Sequence, residues 1–157
     1  MEIKEALTAG ISGTTFMTVF SCAAAKVTGE DFSEPERLGQ LANRIIPTLN
    51  KKESELGGWV GHYSVGLAFA TAYVALWRQS KLKPSFENDL CVGSISGIIA
   101  VGVWKLMFKL HPLPPRLSFS NYYAQLIPAH VVFAIFAGLS YRMLKNERQE
   151  LTTHEIS

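Results

Sequence analysis

ALTAGISGTTFMTVFSCAAA, residues 6–25, decides the fold class. The stretch has no Asp, Glu, Lys or Arg, and a helix needs roughly 20 mostly apolar residues to cross the hydrocarbon core of a bilayer. Three more charge-free stretches follow, Leu56–Trp77, Leu90–Trp104 and Leu117–Tyr141, so that more than half of the 157 residues lie in such segments. Charged residues make up 18% of the chain, against roughly 25% in soluble domains. This distribution excludes a disordered chain. The same distribution excludes a disulfide scaffold and a basic nucleic-acid binder, whereas the net charge of +2 by itself says nothing about partners.

The predicted fold is all-α, an integral membrane four-helix transmembrane bundle forming a single domain over residues 1–157. Spans are expected at about 6–26, 58–77, 90–110 and 122–144. Trp59 and Trp77, and Tyr122, Tyr123 and Tyr141, stand where interfacial aromatics are favoured. Lys105 and Lys109 are expected to snorkel out of the third span. The flank Met1–Glu5 has one Lys against two Glu, the wrong balance for a secretory signal, so cleavage is not expected.

Between the first two spans, Ser33-Glu34-Pro35-Glu36 reads as a helix start: a hydroxyl cap, early acids and Pro in the first turn. Leu38, Leu41, Ala42 and Ile45 then recur at helical spacing, and Pro47 ends the run. A short interfacial amphipathic helix over about 34–46 is predicted, with Leu38, Leu41 and Ile45 toward the lipid or the bundle. His111-Pro112-Leu113-Pro114-Pro115-Arg116 forms a stiff loop, and 145–157 a polar, frayed tail.

Basic residues divide almost evenly between the two sides of such a bundle. Arg78, Lys81 and Lys83 crowd one short connection, however, and Arg142, Lys145 and Arg148 follow the last span directly. The expected orientation of this multi-pass membrane protein is therefore with both termini cytoplasmic.

Spans one and two resemble spans three and four. His62 precedes Tyr73 by the same interval as His130 precedes Tyr141, and Ile11-Ser12-Gly13 recurs as Ile95-Ser96-Gly97. A 2+2 parallel repeat is the implied organisation. Gly57-x-x-x-Gly61, Gly66-x-x-x-Ala70 and Gly93-x-x-x-Gly97, together with Gly138, are candidate close-packing positions. They serve packing within the bundle or, alternatively, a homo-oligomer.

His62, His130, Tyr73, Tyr141 and Gln125 form the candidate intramembrane polar cluster. Neutral histidines bonded to a neighbouring helix are one reading. A pH-responsive pair is a second, because imidazole titrates near neutrality. Haem ligation is a third, with neither a second His pair nor Cys-x-x-Cys-His to support it. No catalytic residue, metal site or cofactor is predicted. Cys22 and Cys91 lie at opposite ends of parallel spans and are expected to be buried thiols that never pair. The acids fall almost wholly in expected loops, so paired-carboxylate chemistry is not anticipated.

Gly10-Ile11-Ser12-Gly13, Ser33-Glu34-Pro35 with its Leu-rich helix, His62-Tyr63-x-x-Gly66-x-x-Phe69-x-x-x-Tyr73, and His130-x-x-Phe133-x-x-x-x-Gly138-x-x-Tyr141 together resemble the YagU-like proteins, small bacterial inner-membrane proteins of unknown function. The resemblance spans about residues 6–144 and implies a four-span membrane protein, with no known activity. The expected function is thus a non-enzymatic envelope protein, pH-responsive through its histidines. A small oligomeric transporter or channel is the alternative, and a membrane haem protein or enzyme stands behind both. The bilayer is the one partner implied; nucleic acid is not, and no protein partner is indicated.

Overall fold

The computed structural model describes residues 3–80 and 82–156, with side chains through residue 147. Among the described residues there are five helices and no strand: α1 Ile3–Thr28, α2 Glu34–Ile45, α3 Lys51–Gln79, α4 Phe86–Leu110 and α5 Phe119–Ile156. Each boundary has a local cause. Gly29, at φ 73°, supplies the left-handed residue that ends α1. Ser33 caps α2 by accepting from the Glu36 N–H, with Pro35 in the first turn. Asn50 and Glu53 form a reciprocal capping box at the start of α3. Ser85 caps α4 through the Asn88 N–H. α5 carries Pro128 inside it and continues without a break through the stretch expected to be a frayed tail.

The sequence predicts four spans; three helices are long and apolar enough to cross a membrane, Ile3–Thr28, Phe86–Leu110 and Phe119–Glu147. α3 has the length, at 29 residues, but not the composition. Gly58, Gly61, Gly66, His62, Tyr63 and Ser64 dilute its middle, and Lys51, Lys52, Glu53 and Glu55 occupy its start. Lack of charge is not the same as apolarity, and the expectation rested on lack of charge.

α5 packs against both α1 and α4, α1 also packs on α3, and α2 lies on α3. Small residues set these approaches. The α5 backbone at Ile127 and Val131 runs so close to Gly97 and Gly93 that an added Cβ would lie 2.7 Å and 2.6 Å from their Cα atoms. Gly66 makes room for the Thr14 side chain, Gly58 for the α2 backbone at Pro35 and Gly39, and Gly138 for Asp89. Gly57 faces open space, and Gly61 meets only the Leu38 side chain at 3.7 Å.

The bundle has an apolar core around Tyr73, Trp77 and Phe133, yet it also buries charged groups and turns large apolar side chains outward. Glu5, Glu34, Arg37, Asp89, His62, His130 and Gln125 are buried, whereas Ile11, Val19, Ile95, Ile98, Ile99 and Leu106 face outward. Large apolar side chains in a row on the surface, with charges inside, are the arrangement a lipid environment favours. Cys22 and Cys91, expected to be buried, are exposed free thiols on this outer surface. They sit on the outward faces of α1 and α4, where apolar character alone does not bring burial.

Candidate functional site

The two ends of the bundle treat acids differently. At the end holding the start of α1 and the α3–α4 connection, Glu5 meets Arg78 (Nε to Oε2 3.0 Å) and Asp89, with no side-chain exposure, meets Arg142 at 2.8 Å. Trp77 packs on Tyr141 there, with ring centroids 5.0 Å apart. At the other end, α2 brings Glu34 into the interior. The cap at Ser33 and the ring of Pro35 turn the first turn of α2 onto α3, and the buried face is Glu34, Pro35, Arg37, Gly39 and Leu41. Of the predicted apolar face, Leu41 is buried against the bundle and Ile45 is 62% exposed. The close backbone contact at Gly39 and Gly58 rotates α2 by its small residues rather than its large ones.

Glu34 is 2% exposed. Its Oε1 accepts from the Ser21 hydroxyl at 3.1 Å, which in turn accepts from the Gln125 amide at 2.7 Å. Its Oε2 has no partner among the described residues. Arg37, one turn along, gives its guanidinium to Asp31 and Gln40 instead. Burial pushes the Glu34 carboxyl up to about 7, against a smaller lowering by its own backbone N–H, Ser21 and Gln125.

Beside Glu34 lies a cavity of about 170 Å³. His62, His130 and Thr14 share its wall with Phe69, Phe133 and Trp104. Val65 of α3 and Val103 of α4 also line it, and both are more than half exposed, so it opens sideways between these helices. The hydrogen bonds assign the histidine tautomers. Thr18 donates its one hydroxyl proton to the Thr14 carbonyl at 2.8 Å, so His62 Nε2, 3.0 Å away, donates to Thr18 Oγ1. His130 Nδ1 donates to the Leu126 carbonyl at 2.8 Å. Each ring thus keeps its second nitrogen, His62 Nδ1 and His130 Nε2, as a bare acceptor. The Thr14 hydroxyl is buried without a partner among the described residues.

The predicted polar residues do not form one cluster. His62 and His130 share the cavity without bonding each other; Gln125 belongs to the Ser21–Glu34 chain. Tyr73 bonds Ser96 at 2.5 Å, and Tyr141 sits beside Trp77, both nearer the ion-paired end. Glu34 is the residue that sequence reasoning passed over, because Ser-Glu-Pro-Glu reads as an ordinary helix start. No group of three or more His, Cys, Asp or Glu among the described residues is placed to hold a metal ion. With its carboxyl pushed up to about 7, Glu34 is the group of this arrangement that can take up or release a proton near neutral pH, and the two rings offer hydrogen-bond acceptors on the cavity. No family model, curated protein or solved structure matches the chain.

Proposed function

We propose that the chain is a non-enzymatic integral membrane protein of the bacterial inner membrane, of the YagU-like type, whose bundle senses pH. The observation that carries the reading is Glu34: a carboxyl held in the interior with one oxygen unpartnered and no cation in contact. A buried carboxylate without a cation is costly, so near neutral pH the group stands at the balance between its two protonation states. Groups facing it are His62 from α3, Tyr122 and His130 from α5, and Arg37 on its own helix; the α1 and α4 residues lining the cavity bring none that titrate. This reading takes α3, 29 residues long and packed along α1, as a fourth crossing helix less apolar than the other three; both termini are then cytoplasmic, and α2 and Glu34 face the outer side, in contact with external pH. A reporter fused after Ser157 tests this orientation: activity from a periplasmic-type reporter reverses it.

The apposition of α1 on α3 and α4 on α5 supports a repeat. Glu5 and Asp89 stand 84 residues apart, the offset that also relates Ile11-Ser12-Gly13 to Ile95-Ser96-Gly97, and each meets an arginine of the paired helix. Arg78 and Arg142 stand 64 apart, one helical turn short of the 68 that separates His62 from His130.

The test of the pH reading is infrared difference spectroscopy of the protein in nanodiscs. A carboxylic C=O band titrating near pH 7 and missing in Glu34→Gln is the expected result. Its absence in the unaltered protein removes Glu34 as the sensor. A second reading, a small transporter, is favoured by one observation, the sideways opening of the cavity between α3 and α4.

A further inference from the structure

We propose that this cavity binds a compact hydrophobic cation, whose charge replaces the proton of Glu34 and whose apolar body lies between α3 and α4. The proposal rests on Glu34 being the protonatable group of the bundle, and adds a ligand class to it.

The lining argues for a cation. Its ionisable members are Glu34, His62 and His130. The hydrogen-bond pattern leaves both rings with a free acceptor nitrogen, and an anion would meet lone pairs and a carboxylate. No Lys or Arg lines the space, and Arg37 is already engaged with Asp31 and Gln40. Phe69, Phe133 and Trp104 supply aromatic rings to the wall, and such rings attract an organic cation that reaches their faces. The size argues for a small ligand: about 170 Å³ is near the roughly 150 Å³ that accommodates benzene in an apolar cavity, so one ring or a short branched chain fits beside the charge. Exposure of Val65 and Val103 gives entry from the apolar side, the route open to a cation carrying its own hydrophobic group.

The exchange balances. The cation enters, the Glu34 O–H bond breaks, its proton leaves to water, and the carboxylate stays with the bound cation. The charge of the bundle is the same before and after, so neither state holds an uncompensated buried charge. Binding must then tighten as pH rises, approaching tenfold per pH unit well below the Glu34 midpoint and levelling off above it.

The probe is benzyltrimethylammonium, and its control is neopentylbenzene, the neutral isostere with carbon in place of nitrogen. The full chain in zwitterionic nanodiscs is titrated by calorimetry at pH 6 and pH 8 in two buffers of different ionisation enthalpy. The expected result is about tenfold tighter binding at pH 8, close to one proton released per cation at pH 6, and loss of at least thirtyfold in affinity in Glu34→Gln. Ala100→Leu, which adds three carbons at a buried lining position, is a second variant independent of the charge. It should weaken binding at least tenfold with the helical circular dichroism unchanged. Equal affinity for the neutral isostere, or binding that is independent of pH, overturns the proposal. No binding of the cation, with the Glu34 carboxyl band still titrating near pH 7, overturns the cation site and leaves the pH reading standing.

Discussion

Glu5 and Asp89 at one end of the bundle, and Glu34 at the other, are all buried acids with different settings. The first two are each answered by an arginine from a neighbouring helix, α3 for Glu5 and α5 for Asp89. Glu34 is answered by a hydroxyl. An ion pair between helices fixes which helices meet and loses much if one partner is removed. A carboxyl held only by neutral groups fixes little, but its protonation state is free to change. On the proposed reading, the ion-paired end is the clasp of the bundle and the Glu34 end its responsive part.

The largest effect is expected at the clasp. Arg142→Ala leaves the fully buried Asp89 carboxylate without its cation, and such a loss costs about 3–5 kcal/mol. Thermal unfolding in detergent should show it, and Asp89→Asn with Arg142→Gln should recover most of it. If the single variant unfolds like the parent protein, the contrast between the two ends is lost.

Next comes the pH dependence of stability. The Glu34 carboxyl is raised from 4.5 to about 7 in the folded chain, so between these values the folded state holds a proton that the unfolded state releases. Its contribution is fully present below pH 4.5 and is lost as pH rises through about 7. The shift corresponds to on the order of 3 kcal/mol. The melting temperature should therefore fall between pH 5 and pH 8, and the fall should be much reduced in Glu34→Gln. A melting temperature that rises over this window would mean that Glu34 is paired with a cation after all.

The helices were legible because each announces itself: long charge-free runs for α1, α4 and α5, and Ser33-Glu34-Pro35 for α2. The start of α3 carried its own signal in Asn50-x-x-Glu53, but the charges at 51–55 drew the boundary to residue 58. The apolarity of α3 was over-read, since glycines, aromatics and a histidine are uncharged without being apolar. His62 and His130 were visible as rare ionisable residues within such stretches, and the structure places them on one cavity. Glu34 was not visible. An acid in the first turn of a helix is normally exposed and favoured by the dipole. Only the contact of α2 with α3, made through the side-chain-free surfaces of Gly39 and Gly58, carries it inside.

That contact sets up the sharpest and smallest comparison, between two adjacent glycines. A Cβ at Gly58 would fall on the α2 backbone at Pro35 and Gly39, whereas a Cβ at Gly57 meets nothing. Gly58→Ala must push α2 away from α3, an overpacking cost of about 1–3 kcal/mol. The same displacement lets water approach Glu34, so the carboxyl midpoint should move down from about 7 toward the ordinary range, and infrared titration reads that shift. Gly57→Ala keeps every contact and removes backbone freedom from the unfolded chain, for a gain of about 0.5–1 kcal/mol. Both variants add one methyl group to the same turn of the same helix, so helix propensity favours both alike, and the difference between them isolates the α2–α3 contact. If Gly57→Ala lowers the Glu34 midpoint as much as Gly58→Ala does, the carboxyl is not held by that contact, and the account of how α2 places it fails.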